Sequence, residues 1–222
     1  ETVHTFPIGQ VSIEGGNAAF QCVKKVIELA LAGEVDATCT NALNKEAMNK
    51  ALEFYEGKRS DGHTHFDGHT EIYATYTNTK KYTMMLAHHD LRVVHVSTHV
   101  SLREACNCVK KARVLETIQI AHEACKDMGI ENPKIAVAGL NPHCSENGLF
   151  GTEEIEEITP AIEAAKAEGI HAVGPIPPDS VFPEALGGWY DVVVCMYHDQ
   201  GHIPLKTCLL YTSPSPRDRS VS

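Results

Sequence analysis

Short β-rich runs alternate along this chain with longer stretches of helical period, and that alternation limits the fold more than any other feature. "VDATCT", "YTMMLA", "LRVVHVST", "KIAVAG", "HAVGPI" and "DVVVCMY" have the length and residue types of strands. "NAAFQCVKKVIELALAGE" places Ala19, Val23, Val26, Ile27, Ala30 and Leu31 on one helical face, with Gly33 as a stop. "NKEAMNKALEFY" and "EEIEEITPAIEAAKAEG" read as helices, the second ending at Gly169. Ser101 and Glu104 have capping-box spacing and open a helical region reaching Gly129. "EGKRSDGHTHFDGHT" reads as a polar loop. Strands joined by helical crossovers predict an α/β fold around a largely parallel sheet.

The 222 residues, 43% of them hydrophobic, suffice for one large domain or two small ones. A formal charge of −10 speaks against nucleic-acid or anionic-membrane partners, which require basic surface. No apolar stretch approaches the roughly 18 to 20 residues that span a bilayer. Eight cysteines without paired-finger spacing are expected to be reduced, buried thiols, which suits a cytoplasmic protein. No Walker motif, strand-borne GxGxxG, GxSxG elbow or HExxH is present.

Three apolar runs end close to a histidine: "LRVVHVST" leads to His99, "KIAVAGLNP" to His143 and "DVVVCMY" to His198. Ligands of open α/β sheets bind beyond the carboxyl ends of strands, where such imidazoles could meet around one metal. Imidazole suits zinc, cobalt, nickel or iron, and three protein ligands leave positions open for substrate. The alternative is three ordinary surface or hydrogen-bonded histidines. Asp179 in "PIPPDSVF" is expected at the same edge, and Asp199 either transfers protons or orients His198. Lys206, in a segment "HIPLK" that reads as extended, is a candidate acid or anion partner against the default of a solvated lysine. In "FDGHTEIY", His69 and Thr70 stand at a helix start, where amides favour a phosphate or carboxylate; an ordinary cap is the plainer reading.

The segments "GLNPHCSENGLFGTEEIEEITPAI" and "VVVCMYHDQGHIPLK" resemble signatures of the 4-hydroxythreonine-4-phosphate dehydrogenase family, and "FDGHTEIY", "VSTHVSLREA" and "PIPPDSVF" match it in the same order. The resemblance implies a three-layer α/β/α fold like the isocitrate and isopropylmalate dehydrogenases, with two domains around a cleft. It further implies a cytoplasmic homodimer with shared active sites. The implied reaction is oxidation of 4-phosphohydroxy-L-threonine by NAD or NADP with a divalent metal (Zn, Mg, Co or Mn). Decarboxylation would then give 3-amino-2-oxopropyl phosphate for vitamin B6 synthesis. By motif, the metal ligands fall on His99, His143 and His198, and substrate contacts on His69, Thr70 and Lys206. Proton transfer falls to Lys206, Asp199 or Asp179, and no residue is assigned to the nicotinamide cofactor. Related subgroups act on D-threonate or D-erythronate 4-phosphate, which is the alternative substrate class; a metal-dependent phosphatase and an inactive fragment are the others.

Departures from the family pattern are "TNALNK" in place of a "TAPINK"-like segment and "NPHCSENG" in place of "NPHAGEGG". The start at Glu1 and the lack of a "PGDPAGIGPE"-like segment lead to the expectation of a fragment, with residues 1–206 a partial dehydrogenase. Residues 207–222, ending in the Ser- and Pro-rich "YTSPSPRDRSVS", are expected to be a disordered, non-native tail resembling translated adapter sequence.

Overall fold

Val192, Val193, Val194 and Cys195 are buried at every position, as a strand must be when helices cover both faces of its sheet. In the computed structural model, which describes residues 9–55, 65, 66 and 68–212, this run is the middle strand of five. The chain divides into two units, Glu1–Lys80 and Lys81–Ser222, and the sheet belongs to the second.

Its strands are β1 (Met85–His88), β2 (Leu91–His95), β3 (Ile135–Ala138), β4 (Ala172–Ile176) and β5 (Val192–Cys195), in the order β1-β2-β5-β3-β4. β1 pairs antiparallel with β2, and the other pairs are parallel. The helices are α4 (Leu102–Cys108), α5 (Lys111–Asp127), α6 (Thr159–Ala167), α7 (Pro178–Leu186) and α8 (His198–Thr212). The labels α1 to α3 belong to the first unit.

Successive residues of a strand face opposite ways, and β5 shows the result. Val192 and Val194 join Val114, Ile118 and Ile162 of α5 and α6 on one face. Val193 and Cys195 join Val181, Phe182 and Ala185 of α7 and Leu205 of α8 on the other. The sheet is therefore mixed, with helices on both sides, as the alternation predicted.

Several boundaries differ from the expectation. Ser101 Oγ accepts from the Glu104 amide at 3.2 Å, as capping-box spacing requires. The helical region nevertheless breaks after Cys108, because Lys110 is extended and α5 starts afresh with the Lys111 amide on Glu157 at 2.6 Å. Glu154–Ile158 winds as a π-turn before α6, where Pro160 has no amide to donate. α7 was hidden by its own prolines; Pro178 sits in the first turn, where the lost amide costs nothing. "HIPLK" is helical, not extended, and buries Gly201, His202 and Leu205 along one side of α8. The boundary expected at Lys206 thus falls inside a helix that continues to Thr212, while 213–222 lie outside the described residues.

The first unit holds α1 (Ile13–Leu31), α2 (Lys45–Tyr55) and α3 (His69–Tyr76). "VDATCT" forms no strand there, and its residues are mostly exposed. The core is Phe20, Val23, Ile27, Met48, Leu52, Phe66 and Ile72. Ala30 and Leu31 are exposed, so the buried stripe of α1 runs Gly16–Phe20–Val23–Ile27. Asn49 holds Phe66 by both its amide (2.9 Å) and its carbonyl (3.1 Å). Most of the expected polar loop, 56–64, lies outside the described residues.

Gly16 brings α1 against α2: a Cβ there would lie 2.1 Å from the Ala47 carbonyl oxygen. Gly16→Ala must separate the helices and is expected to destabilise this unit by ~1–3 kcal/mol. Urea titration followed by circular dichroism checks it, and an unchanged midpoint would refute the close contact.

Candidate functional site

Because β2, β5, β3 and β4 run parallel, their carboxyl ends share one edge of the sheet. His99 follows β2, His198 opens α8 directly after β5, His143 follows β3, and Asp179 lies in the first turn of α7 after β4. All four thus stand at the carboxyl edge of the sheet, where they were expected.

His99 and His198 come together, with ring centroids 6.0 Å apart. They line a cavity of about 270 Å³ with Thr98, Leu102, Tyr197 and Asp199. His198 Nδ1 lies 2.7 Å from Asp199 Oδ1. The carboxylate can only accept, so Nδ1 is the donor, and in the neutral ring Nε2 keeps the lone pair a metal or proton would use. His198 also stacks on His202 at 3.6 Å with an interplanar angle of 12°. His198, His202 and the exposed Lys206 recur every four residues on α8 and so share one face. Burial holds the His202 imidazole below its usual pKa, and the charge of Lys206 pushes the same way.

His143 is placed differently. It begins a run of five non-glycine residues with positive φ, from His143 (51°) through Cys144, Ser145 and Glu146 to Asn147 (58°). Among the described residues, no group of three or more His, Cys, Asp or Glu side chains is arranged to hold a metal ion. Of the three expected ligands, His99 and His198 have their rings in contact, and His143 stands on the loop that follows β3. Asp179 is exposed, and its charge is felt at Cys144.

His69 and Thr70 belong to the first unit, where they open α3. Gly68 is the cap residue and no side chain caps the helix, so Thr70 does not serve as a capping hydroxyl. His69 Nε2 is buried without a hydrogen-bond partner among the described residues, a costly state that a ligand would relieve. The eight cysteines are free, but only Cys125 and Cys195 are buried, fewer than expected.

Several residues escaped the sequence argument. His95, the last residue of β2, is fully buried. Its Nε2 lies 3.2 Å from His202 Nδ1, which also lies 2.9 Å from the His198 carbonyl. The carbonyl accepts, so His202 Nδ1 is a donor and neutral His95 Nε2 an acceptor. Burial first, then the neighbouring His202, lowers the pKa of His95 to about 4. Gly201 permits this packing: a Cβ there would lie 2.5 Å from His95 Nε2 and 2.9 Å from Cys195 Sγ. Gln200 and Glu154, both buried, were also missed. The short "HDQG" and the acid-rich "TEEIEE" gave no sign that these two side chains turn inward.

Comparison with known proteins supplies a wider setting. A family model described as pyridoxal phosphate biosynthetic protein PdxA matches residues 1–213. D-threonate 4-phosphate dehydrogenase of Pectobacterium atrosepticum is 48% identical over 91% of this chain and 59% of its own length. The protein of that name from Salmonella typhimurium is 49% identical over 91% and 59%. The crystal structure of 4-hydroxythreonine-4-phosphate dehydrogenase from Klebsiella pneumoniae matches with a TM-score of 0.83 and 43% identity, covering 93% of this chain and 59% of that one. The chain thus spans 59% of the length of each of these relatives.

Two outcomes follow for stability. His95 binds a proton in the unfolded chain below its ordinary pKa of 6.5 but in the folded chain only near 4. Its contribution is therefore complete above pH 6.5 and is lost as pH falls toward 4, by about 3 kcal/mol in all. Denaturation across that range should show a shallower pH slope for His95→Gln, and an equal slope would refute the assignment. Glu146 is exposed with φ 47°, where a side chain is strained. Glu146→Gly should raise stability by ~0.5–1 kcal/mol, and a lowered melting temperature would count against the left-handed loop.

Proposed function

We propose that this chain, which belongs to the family of the pyridoxal phosphate biosynthetic protein PdxA, carries the metal- and substrate-binding edge of a nicotinamide-dependent dehydrogenase of a phosphorylated four-carbon hydroxy acid. D-threonate 4-phosphate is the preferred substrate in this reading, because two curated relatives bearing that name are 48% and 49% identical to the chain. Oxidation at C3 would give a β-keto acid, which loses carbon dioxide to leave a three-carbon ketone phosphate. 4-Phosphohydroxy-L-threonine, the substrate in vitamin B6 synthesis, is the second reading, favoured by the name of the Klebsiella structure.

The observation that carries the proposal is the His99–His198 pair on one cavity wall, with Asp199 holding the Nδ1 side of His198. This donor set fits two positions of a divalent metal, and His143 would supply a third from its own chain or from a second copy. When bound, zinc, magnesium, cobalt or manganese would act as a Lewis acid on the substrate hydroxyl and on the ketone formed from it. Asp199 fixes the tautomer of His198 and so presents Nε2. Lys206 and Asp199 are the proposed proton carriers, with Asp179 as a further acid at the edge of β4. His69 and Thr70, with the first amides of α3, are the proposed phosphate contacts: the unpartnered Nε2 of His69 suits an anion. NAD or NADP supplies the hydride chemistry, with no residue assigned to it here. A cytoplasmic homodimer with shared sites belongs to the same proposal. No helix among the described residues is long and apolar enough to cross a membrane.

Parallel assays of NADH and NADPH formation with the two substrates, each with added zinc, magnesium, cobalt or manganese, test the reading. D-threonate 4-phosphate should be preferred by about ten-fold or more in kcat/KM, equivalent to ~1.4 kcal/mol. The reverse preference would establish the second reading. Phosphate release without nicotinamide would overturn both.

A further inference from the structure

A line of buried and half-buried hydrogen bonds crosses the sheet edge, and none of the chemistry above uses it. Ser97 Oγ donates to the Met196 carbonyl at 3.0 Å, joining the end of β2 to that of β5. The Met196 amide donates to Gln200 Oε1 at 2.6 Å, and Gln200 Nε2 donates to the Gly139 carbonyl at 2.7 Å, joining β5 to β3. The amides of Leu140 and Asn141 then both donate to Glu154 Oε1, at 2.8 and 2.6 Å. Asn141 Nδ2 completes the line on Glu154 Oε2 at 2.9 Å. Ser97, Gln200 and Glu154 are 9%, 6% and 2% exposed, so these bonds compete little with water.

We propose that Gln200 is a positioning residue, which sets the distance between the His143 loop and His198. The ladder between β3 and β5 has its last paired residues at Val137 and Val194. Beyond that point Gln200 bridges the two strand ends, through the Met196 amide and the Gly139 carbonyl. A plainer account makes Gln200 a helix cap, reaching back from the first turn of α8 to the Met196 amide. A cap requires only an acceptor, which glutamate supplies equally well. The bond to Gly139 requires a donor in the same planar group, and glutamine provides both where a carboxylate accepts only. Residue identity at 200 therefore separates a tie from a cap.

The kinetic consequence rests on the proposed dehydrogenase reading; the structural one does not. Gln200→Glu and Gln200→Met, made in the full chain, would be followed by amide hydrogen exchange without metal or substrate. Gln200→Glu should leave the Met196 amide as protected as before. The Leu140 and Asn141 amides should exchange about ten-fold faster or more in both variants. Zinc affinity of the neutral Gln200→Met variant should fall about ten- to a hundred-fold by calorimetry, with kcat falling more than KM rises. Wild-type exchange of the loop amides in Gln200→Glu would make Gln200 a cap and overturn the proposal. Failure of both variants to fold would make it a core residue and overturn it as well. An unaltered chain that oxidises neither substrate would count against the dehydrogenase, while the exchange result would still decide the role of Gln200.

Discussion

The pairing of β5 on both sides is the constraint from which the site follows. Val193 and Val194 are in register with Val93 and Val94 of β2 and, at the same time, with Ala136 and Val137 of β3. A strand bonded along both edges and covered on both faces can neither slip nor tilt alone. Whatever follows Cys195 must therefore emerge at the carboxyl edge between the ends of β2 and β3. His198 stands there because the chain has nowhere else to begin α8.

Much of this could be read from residue order, and the failures have physical causes. All five strands of the sheet were visible as apolar runs, most plainly β3 and β5, where burial on both faces removes polar residues. "VDATCT" imitates such a run, yet it is mostly exposed and pairs with no strand among the described residues. Local residue preference cannot supply a neighbour. α7 and α8 were obscured by Pro178, Pro183 and Pro204, which read as breaks unless their place in the helix is known. His99 and His198 were legible because each follows a strand. His95 sits within its apolar run, where the sequence does not distinguish a buried imidazole from a functional one. Gln200 was out of reach for a different reason: its decisive partner, Gly139, lies 61 residues away in sequence.

The loop after β3 has an unusual backbone. Cys144, Ser145 and Asn147 all have positive φ. These are positions where glycine would be better suited to the backbone. Glu154 supports the loop's entrance, since its buried carboxyl group accepts three hydrogen bonds from Leu140 and Asn141. These bonds tie the entrance of the strained loop that carries His143 to the turn before α6.

Gly201 gives α8 a different kind of definition. The helix rests on β2 and β5 at a distance shorter than any side chain other than hydrogen would allow. In engineering terms the bearing surface is machined to less than the width of one methyl group, and the tolerance is set by an atom that is missing. Rings of the size of His198 and His202, stacked at 3.6 Å, leave no slack to absorb an error in the seating of their helix. The seating of the polar edge thus depends on a close contact with His95 and Cys195 one residue away from His202.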